Sequence, residues 1–351
     1  MKTLNVGVIG VGKIGNRHLQ GYTNNPRAKV VAVADIIGEL AQSVAADFGV
    51  ERFFKSHRDL LALSEIEAVS VCTPPFAHAP VTCDAAEAGK HVLCEKPMAM
   101  NAEEAERMVE ASRKAGVKLG IGSSRTRLSA EVEKAREYVQ TGKLGKVYYV
   151  RSSRFRRRGR PGLDNPRQAK WFLDSSKAGG GALIDIGCYE LDAILYLLGS
   201  PQPVAVSAMT FRGVGEPPKL DVTYDVEEHA SLMVRFKEGL VATVEIAWAS
   251  NMDQGEGIVL FGTKGGLKSN PFTYYTEQEG EHVAIPMGAQ RRRRGFSDID
   301  DFVTACLEDR APKTPGEDGL KVMQAISMAY LSAKLGREVT LQDLRTYEKR
   351  V

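Results

Sequence analysis

Leu4-Asn5-Val6-Gly7-Val8-Ile9 is a short apolar run, and Gly10-Val11-Gly12-Lys13-Ile14-Gly15 follows it without a break. Twenty residues after Gly15 a second apolar run, Val30-Val31-Ala32-Val33-Ala34, closes on Asp35. A G-x-G-x-x-G spacing alone carries little weight. This one follows a strand-like run, opens a helical stretch and has an acid at the distance a βαβ unit requires. Gly10 permits the tight turn, Gly12 lets the backbone approach a pyrophosphate, and Gly15 lets the helix pack close to the strand, with Lys13 and Ile14 between them at the helix start. Unpaired backbone N–H groups and a partial positive charge at that start favour phosphates. Asp35 suits the adenosine ribose hydroxyls and repels a 2′-phosphate, so the stretch predicts an NAD site, with NADP disfavoured.

Bulk properties fit a soluble enzyme. A length of 351 residues allows two domains with sizeable cores. Lys plus Arg at 47 against Asp plus Glu at 44 leaves +3, too balanced to point to nucleic acid or a membrane surface. There is no run of eighteen apolar residues, and the apolar start leads directly into the nucleotide motif, which argues against a signal peptide. The five cysteines (Cys72, Cys83, Cys94, Cys188, Cys306) are odd in number and lack C-x-x-C spacing. They read as reduced, mostly buried thiols of a cytoplasmic protein, with no metal centre.

Up to about residue 122, strand-like runs (4–9, 29–34, 68–72, 91–94, 118–121) alternate with helical stretches (14–24, 38–47, 57–63, 77–88, 101–115). That alternation predicts an α/β, doubly wound parallel sheet with ligands at the carboxyl ends of its strands. Asn101 with Glu104 three residues on resembles a capping box. A helix near 128–140 then carries the chain out. After residue 146 the pattern changes: Ala230, Leu232, Val234 and Phe236 alternate with polar positions, Lys237-Glu238-Gly239 turns the chain, and Leu240, Ala242, Val244, Ile246 and Trp248 repeat the period. This hairpin and runs near 146–154, 203–212 and 256–261 predict a mixed or antiparallel sheet, followed by helices near 296–308 and 317–335. The expected division is a nucleotide domain over 1–122 and a second domain over 123–351, whose last helix packs back onto the first.

Three further clusters carry polar groups suited to chemistry. Thr73-Pro74-Pro75-Phe76-Ala77-His78 ends one strand in a proline-stiffened turn, placed to flank the nicotinamide half of the cofactor. Glu95-Lys96-Pro97 ends the next. A lysine there, partly desolvated, has its pKa lowered toward acid–base service. In Gly179-Gly180-Gly181-Ala182-Leu183-Ile184-Asp185-Ile186-Gly187-Cys188-Tyr189, a glycine-rich entry to an apolar helix sets Asp185 and Tyr189 four residues apart, on one helical face. Asp185 can orient a sugar hydroxyl and Tyr189 can pass the reacting proton; the plainer alternative makes Asp185 a helix-start acid and Tyr189 a core aromatic.

Taken together these segments, with Pro315-Gly316-Glu317-Asp318-Gly319 before the last predicted helix, resemble the Gfo/Idh/MocA oxidoreductases nearly end to end. The resemblance implies a Rossmann domain followed by an α/β domain with a large open, mostly antiparallel sheet that often forms homodimers or homotetramers. It also implies sugar, cyclitol or related substrates, Lys96 as catalytic lysine and Asp185 as the helix acid that contacts substrate. Thr73, Pro74, His78 and Glu95 join the cofactor site on the same basis. Many members carry histidine where Tyr189 stands, so this chain is closer to the tyrosine-bearing branch, and Ser123-Ser124-Arg125-Thr126-Arg127 departs from the family's aromatic-and-arginine segment.

Two arginine clusters remain, Arg154 with Arg156, Arg157, Arg158 and Arg160, and Arg291 to Arg294. Arg125 and Arg157 are candidates for binding an anionic substrate, since guanidinium forks hold carboxylates and phosphates bidentately. Loop or subunit contacts with acidic neighbours explain such runs more often. Trp171 and Phe172 line a sugar pocket or anchor a loop. The expected activity is reversible hydride transfer between NAD and a sugar or cyclitol carbon, with Lys96 and Tyr189 handling the hydroxyl proton. Glycoside hydrolysis through tightly held NAD, or a non-catalytic sensor, are the rival readings.

Overall fold

The structure is a computed structural model, and it describes residues 2–123, 126–215, 221–253, 255–288 and 297–348. Ser124, Arg125 and Arg291 to Arg294 lie outside the described residues. The chain divides into two compact units, Met1–Arg125 with Gly295–Leu320, and Thr126–Arg294 with Lys321–Val351.

The first unit is built on a six-stranded sheet of β1 (Leu4–Ile9), β2 (Ala28–Ala34), β3 (Arg52–Phe54), β4 (Ala68–Val71), β5 (His91–Cys94) and β6 (Leu119–Ile121). Their order is β3-β2-β1-β4-β5-β6 and every pairing is parallel. Val6, Val8, Ala68, Val69 and Val71 are fully buried, which is why these strands read as continuous apolar runs. β3 gave no such signal, because Arg52 and Phe53 are exposed at the sheet edge. After β3 the chain crosses to the far side of β1, so the order reverses between β1 and β4, the place where an open sheet of this kind parts to admit a ligand.

Helices follow the strands with ordinary local chemistry. Helix Ala102–Ala115 starts at Asn101, whose side chain accepts the Glu104 N–H at 2.9 Å. It bears Glu103 and Glu104 in its first turn, Arg113 and Lys114 in its last, and ends on Gly116 at φ 66°. Glu104 reaches back to the N–H of Met100 at 3.0 Å, one residue beyond where a capping box would close.

A late segment completes this unit. Helix Asp298–Leu307 begins in a capping box of Ser297 and Asp300, and its Ile299, Phe302 and Val303 join Leu4, Val6, Leu19 and Tyr22 in one buried cluster. Just beyond, the Ile121 N–H donates to the Thr314 carbonyl at 2.9 Å and Gly120 pairs with Pro315. Helix Gly316–Leu335 then leads into the second unit, and the described chain finishes with Leu341–Glu348, a helix whose one buried residue, Leu344, gave too little apolar periodicity to be read.

The second unit carries a nine-stranded sheet of β7 (Val147–Phe155), β8 (Pro203–Phe211), β9 (His229–Phe236), β10 (Val241–Ala247), β11 (Gly257–Gly262), β12 (Gly266–Ser269), β13 (Phe272–Gln278), β14 (Glu281–Pro286) and β15 (Val339–Thr340). The order is β14-β13-β12-β11-β7-β10-β9-β8-β15. β7 and β10 run parallel and the other neighbours antiparallel. In the β9–β10 hairpin the alternating set Ala230, Leu232, Val234, Phe236, Ala242, Val244, Ile246 and Trp248 is buried. Helix Cys188–Leu197 is buried at all of its ten residues. β12 to β14 were not anticipated: much of β13 and β14 is exposed, so no apolar alternation marks them.

Candidate functional site

The glycine motif sits between β1 and helix Lys13–Thr23, and its three glycines differ in what fixes them. A Cβ on Gly10, at φ +84°, would lie 2.8 Å from the Cys72 carbonyl carbon, and one on Gly15 would lie 2.0 Å from the Gly10 oxygen. Both are required by the protein's own packing. A Cβ on Gly12 would meet no protein atom within 4 Å. Asn16 pins the loop through Nδ2, which donates to the carbonyls of Val11 at 2.8 Å and Gly12 at 3.0 Å. Asp35, at the end of β2, accepts the Val11 N–H at 3.0 Å and the Ile37 N–H at 2.9 Å. Each carboxylate oxygen keeps a lone pair for a further donor.

Thr73 and Lys96 follow β4 and β5, the strands next in order beyond β1. The Thr73 hydroxyl is buried and has no hydrogen-bond partner in the protein, an unusual state for a native polar atom and one that a bound group can relieve. His78 is 1% exposed, with Nδ1 at 2.7 Å from the Pro97 carbonyl and Nε2 at 2.8 Å from the Thr73 carbonyl. It therefore sits between the two turns, and its neutral ring donates its one N–H to one of these two carbonyls. Burial, partly opposed by those two carbonyls, holds its pKa below the ordinary histidine range.

Glu95 is likewise turned inward. One oxygen is 3.0 Å from His18 Nε2 and the other accepts the backbone N–H of Lys96 at 3.1 Å. His18 Nδ1 lies 2.9 Å from Ser70 Oγ, which is 2.7 Å from the Tyr22 hydroxyl. Burial pulls the His18 imidazole down, but Cys72 and Glu95 beside it prevail and hold its pKa well above the ordinary range. Burial works against the Glu95 carboxylate, and His18 and Lys96 overcome it, so its pKa is lowered.

In the second unit, Gly181 packs against the backbone of Glu227, where a Cβ would lie 2.0 Å from the Glu227 oxygen. The Glu227 carboxylate accepts the N–H groups of Gly181 at 2.9 Å and Leu183 at 2.8 Å and the Tyr330 hydroxyl at 2.9 Å. Burial outweighs these donors and raises its pKa. Leu183–Gly187 forms a π-helical turn that runs directly into helix Cys188–Leu197, a widening often found at functional sites. Asp185 and Tyr189 are each 7% exposed. The fully buried Trp248 donates its indole N–H to Asp185 Oδ2 at 3.0 Å.

The first arginine cluster is largely paired. Arg154 meets Glu190 at 2.8 Å, Arg157 pairs with Asp253, and Arg160 bridges Asp164 at 2.8 Å and Glu228 at 3.0 Å. Trp171 and Phe172 stack on each other with ring centres 4.0 Å apart. His18, Glu227 and Trp248 escaped the sequence reading. Only Trp248 left a usable signal there, since a buried indole N–H requires an acceptor.

Residues 4–123 match the model of the oxidoreductase family with an NAD-binding Rossmann fold, and residues 132–268 match the GFO/IDH/MocA C-terminal domain. The D-glucoside 3-dehydrogenase of Escherichia coli (strain K12) is 30% identical over 96% of this chain and 97% of its own length. This chain belongs to the Gfo/Idh/MocA oxidoreductase family.

Among solved structures, an oxidoreductase domain protein from Kribbella flavida superposes on this Gfo/Idh/MocA protein with a TM-score of 0.85 at 27% identity, covering 97% of this chain and 100% of that one. Levoglucosan dehydrogenase in complex with NADH and levoglucosan gives 0.83 at 25% identity over the same shares. The protein is thus an oxidoreductase whose cofactor is NAD. The open space at Gly12, the unpartnered Thr73 hydroxyl and the acid at the end of β2 fit that cofactor. Among the described residues, no helix of this Gfo/Idh/MocA chain is long and apolar enough to cross a membrane, and no three His, Cys, Asp or Glu side chains are grouped to hold a metal ion.

Proposed function

We propose that this enzyme moves a hydride reversibly between NAD and a carbinol carbon of a sugar, cyclitol or sugar derivative, with Lys96, Tyr189 and Asp185 as its working side chains. The observation that carries the reading is the strand order: Gly10–Gly15 follows β1, Thr73 follows β4 and Lys96 follows β5, on three adjacent strand ends. NAD supplies the hydride acceptor and donor when bound. Gly10, Gly12, Lys13, Ile14 and Gly15 form its phosphate cradle, Asp35 holds its ribose, and Thr73 and Pro74 form the wall beside its reactive half. His78 and Glu95 serve that half at one remove, by fixing the turns.

Lys96 takes or returns the hydroxyl proton, acting with Tyr189. Asp185, oriented by Trp248, holds a substrate hydroxyl. The names of the relatives, a glucoside dehydrogenase and a levoglucosan dehydrogenase, support a sugar-like substrate. Arg157 is the weaker substrate candidate because it is paired with Asp253. We also propose that two or four copies associate through the nine-stranded sheet, on which Tyr148, Met209 and Phe211 are exposed.

The test is NADH absorbance as the protein and NAD meet a panel of sugars, cyclitols, uronic acids and sugar phosphates. A signal with one class, abolished in Lys96→Ala while NAD still binds, is the expected result. A flat trace from NAD-binding protein, or undiminished turnover by Lys96→Ala, overturns it.

A further inference from the structure

The Lys96 assignment leaves a buried network with no role. His18, on the helix after the glycine motif, is 4% exposed and points both ring nitrogens into the protein. Its Nε2 meets Glu95 Oε1 at 3.0 Å, and the other oxygen of Glu95 takes the Lys96 N–H at 3.1 Å. Nδ1 leads elsewhere, to Ser70 and from there to Tyr22. A histidine needed only for packing would not require a carboxylate as partner. A buried carboxylate is costly unless it is paired, and here the pairing ends on the backbone of one particular lysine.

We propose that His18 is a positioning residue for the reaction: by holding Glu95 through Nε2, it fixes the backbone of Lys96 and so the origin of that side chain at the end of β5. The inference rests on the reading of Lys96 given above. His18 is faced by Tyr22 from its own helix, by Ser70 and Cys72 from β4 and its end, by Glu95 from the end of β5, and by Asp298 from helix Asp298–Leu307. Burial raises the pKa values of Cys72 and Asp298. Glu95, lowered by His18 and Lys96, is the carboxylate to which the imidazole is bonded.

The two ring nitrogens can be separated by substitution. In His18→Gln the amide nitrogen takes the place of Nε2 and keeps the bond to Glu95. In His18→Asn it takes the place of Nδ1 and keeps only the bond toward Ser70. Positioning through Glu95 requires His18→Gln to stay within about threefold of the parent in kcat, and His18→Asn to lose about tenfold or more, with NAD affinity unchanged in both. Equal losses in the two variants overturn the proposal, and a greater loss in His18→Gln overturns it and assigns His18 to the Ser70–Tyr22 side.

If His18→Asn fails to fold, Glu95→Gln replaces it, since the isosteric amide cannot satisfy both His18 and the Lys96 N–H as acceptor. The expected result is then a fall in kcat of about tenfold, and a kcat that stays at the parent's value overturns the proposal. Lys96→Met, assayed alongside, separates the two claims. An active Lys96→Met removes the functional reading itself, whereas an inactive Lys96→Met beside a fully active His18→Asn or Glu95→Gln removes only this inference.

Discussion

Trp248 and Asp185 form a buried pair in which the indole Nε1–H donates to Oδ2 at 3.0 Å. The tryptophan, one residue past β10, is the last member of an apolar alternation, and the carboxylate belongs to the π-helical turn. One residue thus closes the core of the hairpin with its ring and orients a candidate substrate acid with its nitrogen.

Trp248→Phe retains an aromatic ring and removes the donor. Stability should fall by about 1–3 kcal/mol, the cost of a buried carboxylate losing one hydrogen bond. Turnover should fall by about tenfold while NAD affinity stays as it was. Urea melts, steady-state kinetics and calorimetric NAD titration measure the three quantities, and an unchanged kcat would show that Asp185 does not depend on the indole.

The glycine motif offers a contrast within three residues. Gly15→Ala drives a methyl into the Gly10 oxygen and should destabilise the first unit by about 1–3 kcal/mol or more. Gly12→Ala meets no protein atom, so its melting temperature should match the parent while NAD binding weakens by about tenfold. Parent-like NAD affinity in a folded Gly12→Ala would move the phosphates away from that residue.

Arg127 and Asp192 are each 1% exposed and joined by two hydrogen bonds, at 2.8 and 2.5 Å. Arg127→Ala takes the guanidinium away from a buried carboxylate and should cost about 3–5 kcal/mol. Replacing both, as Arg127→Met with Asp192→Leu, should recover most of that loss. Chemical denaturation decides, and a single variant as stable as the parent would contradict the pairing.

The sign of the His18–Glu95 contribution fixes a pH window. Glu95 has a lowered pKa in the folded state, so its contribution is complete above the unfolded carboxylate value and is lost as pH falls through the folded one. His18 is raised, so its contribution is complete below the unfolded histidine value and is lost as pH rises through the folded one. The melting-temperature gap between the parent and Glu95→Gln should therefore be widest between about pH 4.5 and 6.5 and narrow on either side. A gap that does not vary with pH would mean that the two groups are not paired as charges.

The sequence exposed those parts of the fold whose physics is local. β1, β2, β4 and β5 were legible because burial on both faces writes continuous apolar runs, and the β9–β10 hairpin because burial on one face writes a period of two. β3 and β15, of three and two residues, are too short to carry a pattern. The π-helical turn is hidden behind three glycines that read as a loop entry. Glu95-Lys96-Pro97 was visible as a cluster, yet the partner of Glu95 was not, because His18 is 77 positions away and nothing in either segment names the other. The role given to Trp248 depends on the same kind of distant pairing, since Asp185 is 63 positions away.

Helix Asp298–Leu307 has a consequence for how the molecule comes into being. Ile299, Phe302 and Val303 belong to the same buried cluster as Leu4 and Val6. During synthesis the nucleotide-binding half therefore waits, its apolar flank open to water, until the ribosome has passed Val303, although its glycine motif left the exit tunnel long before. A gene cut after residue 125 would yield that half permanently unsealed, prone to aggregate. A graft meant to lend this nucleotide site to another enzyme must bring both pieces of chain.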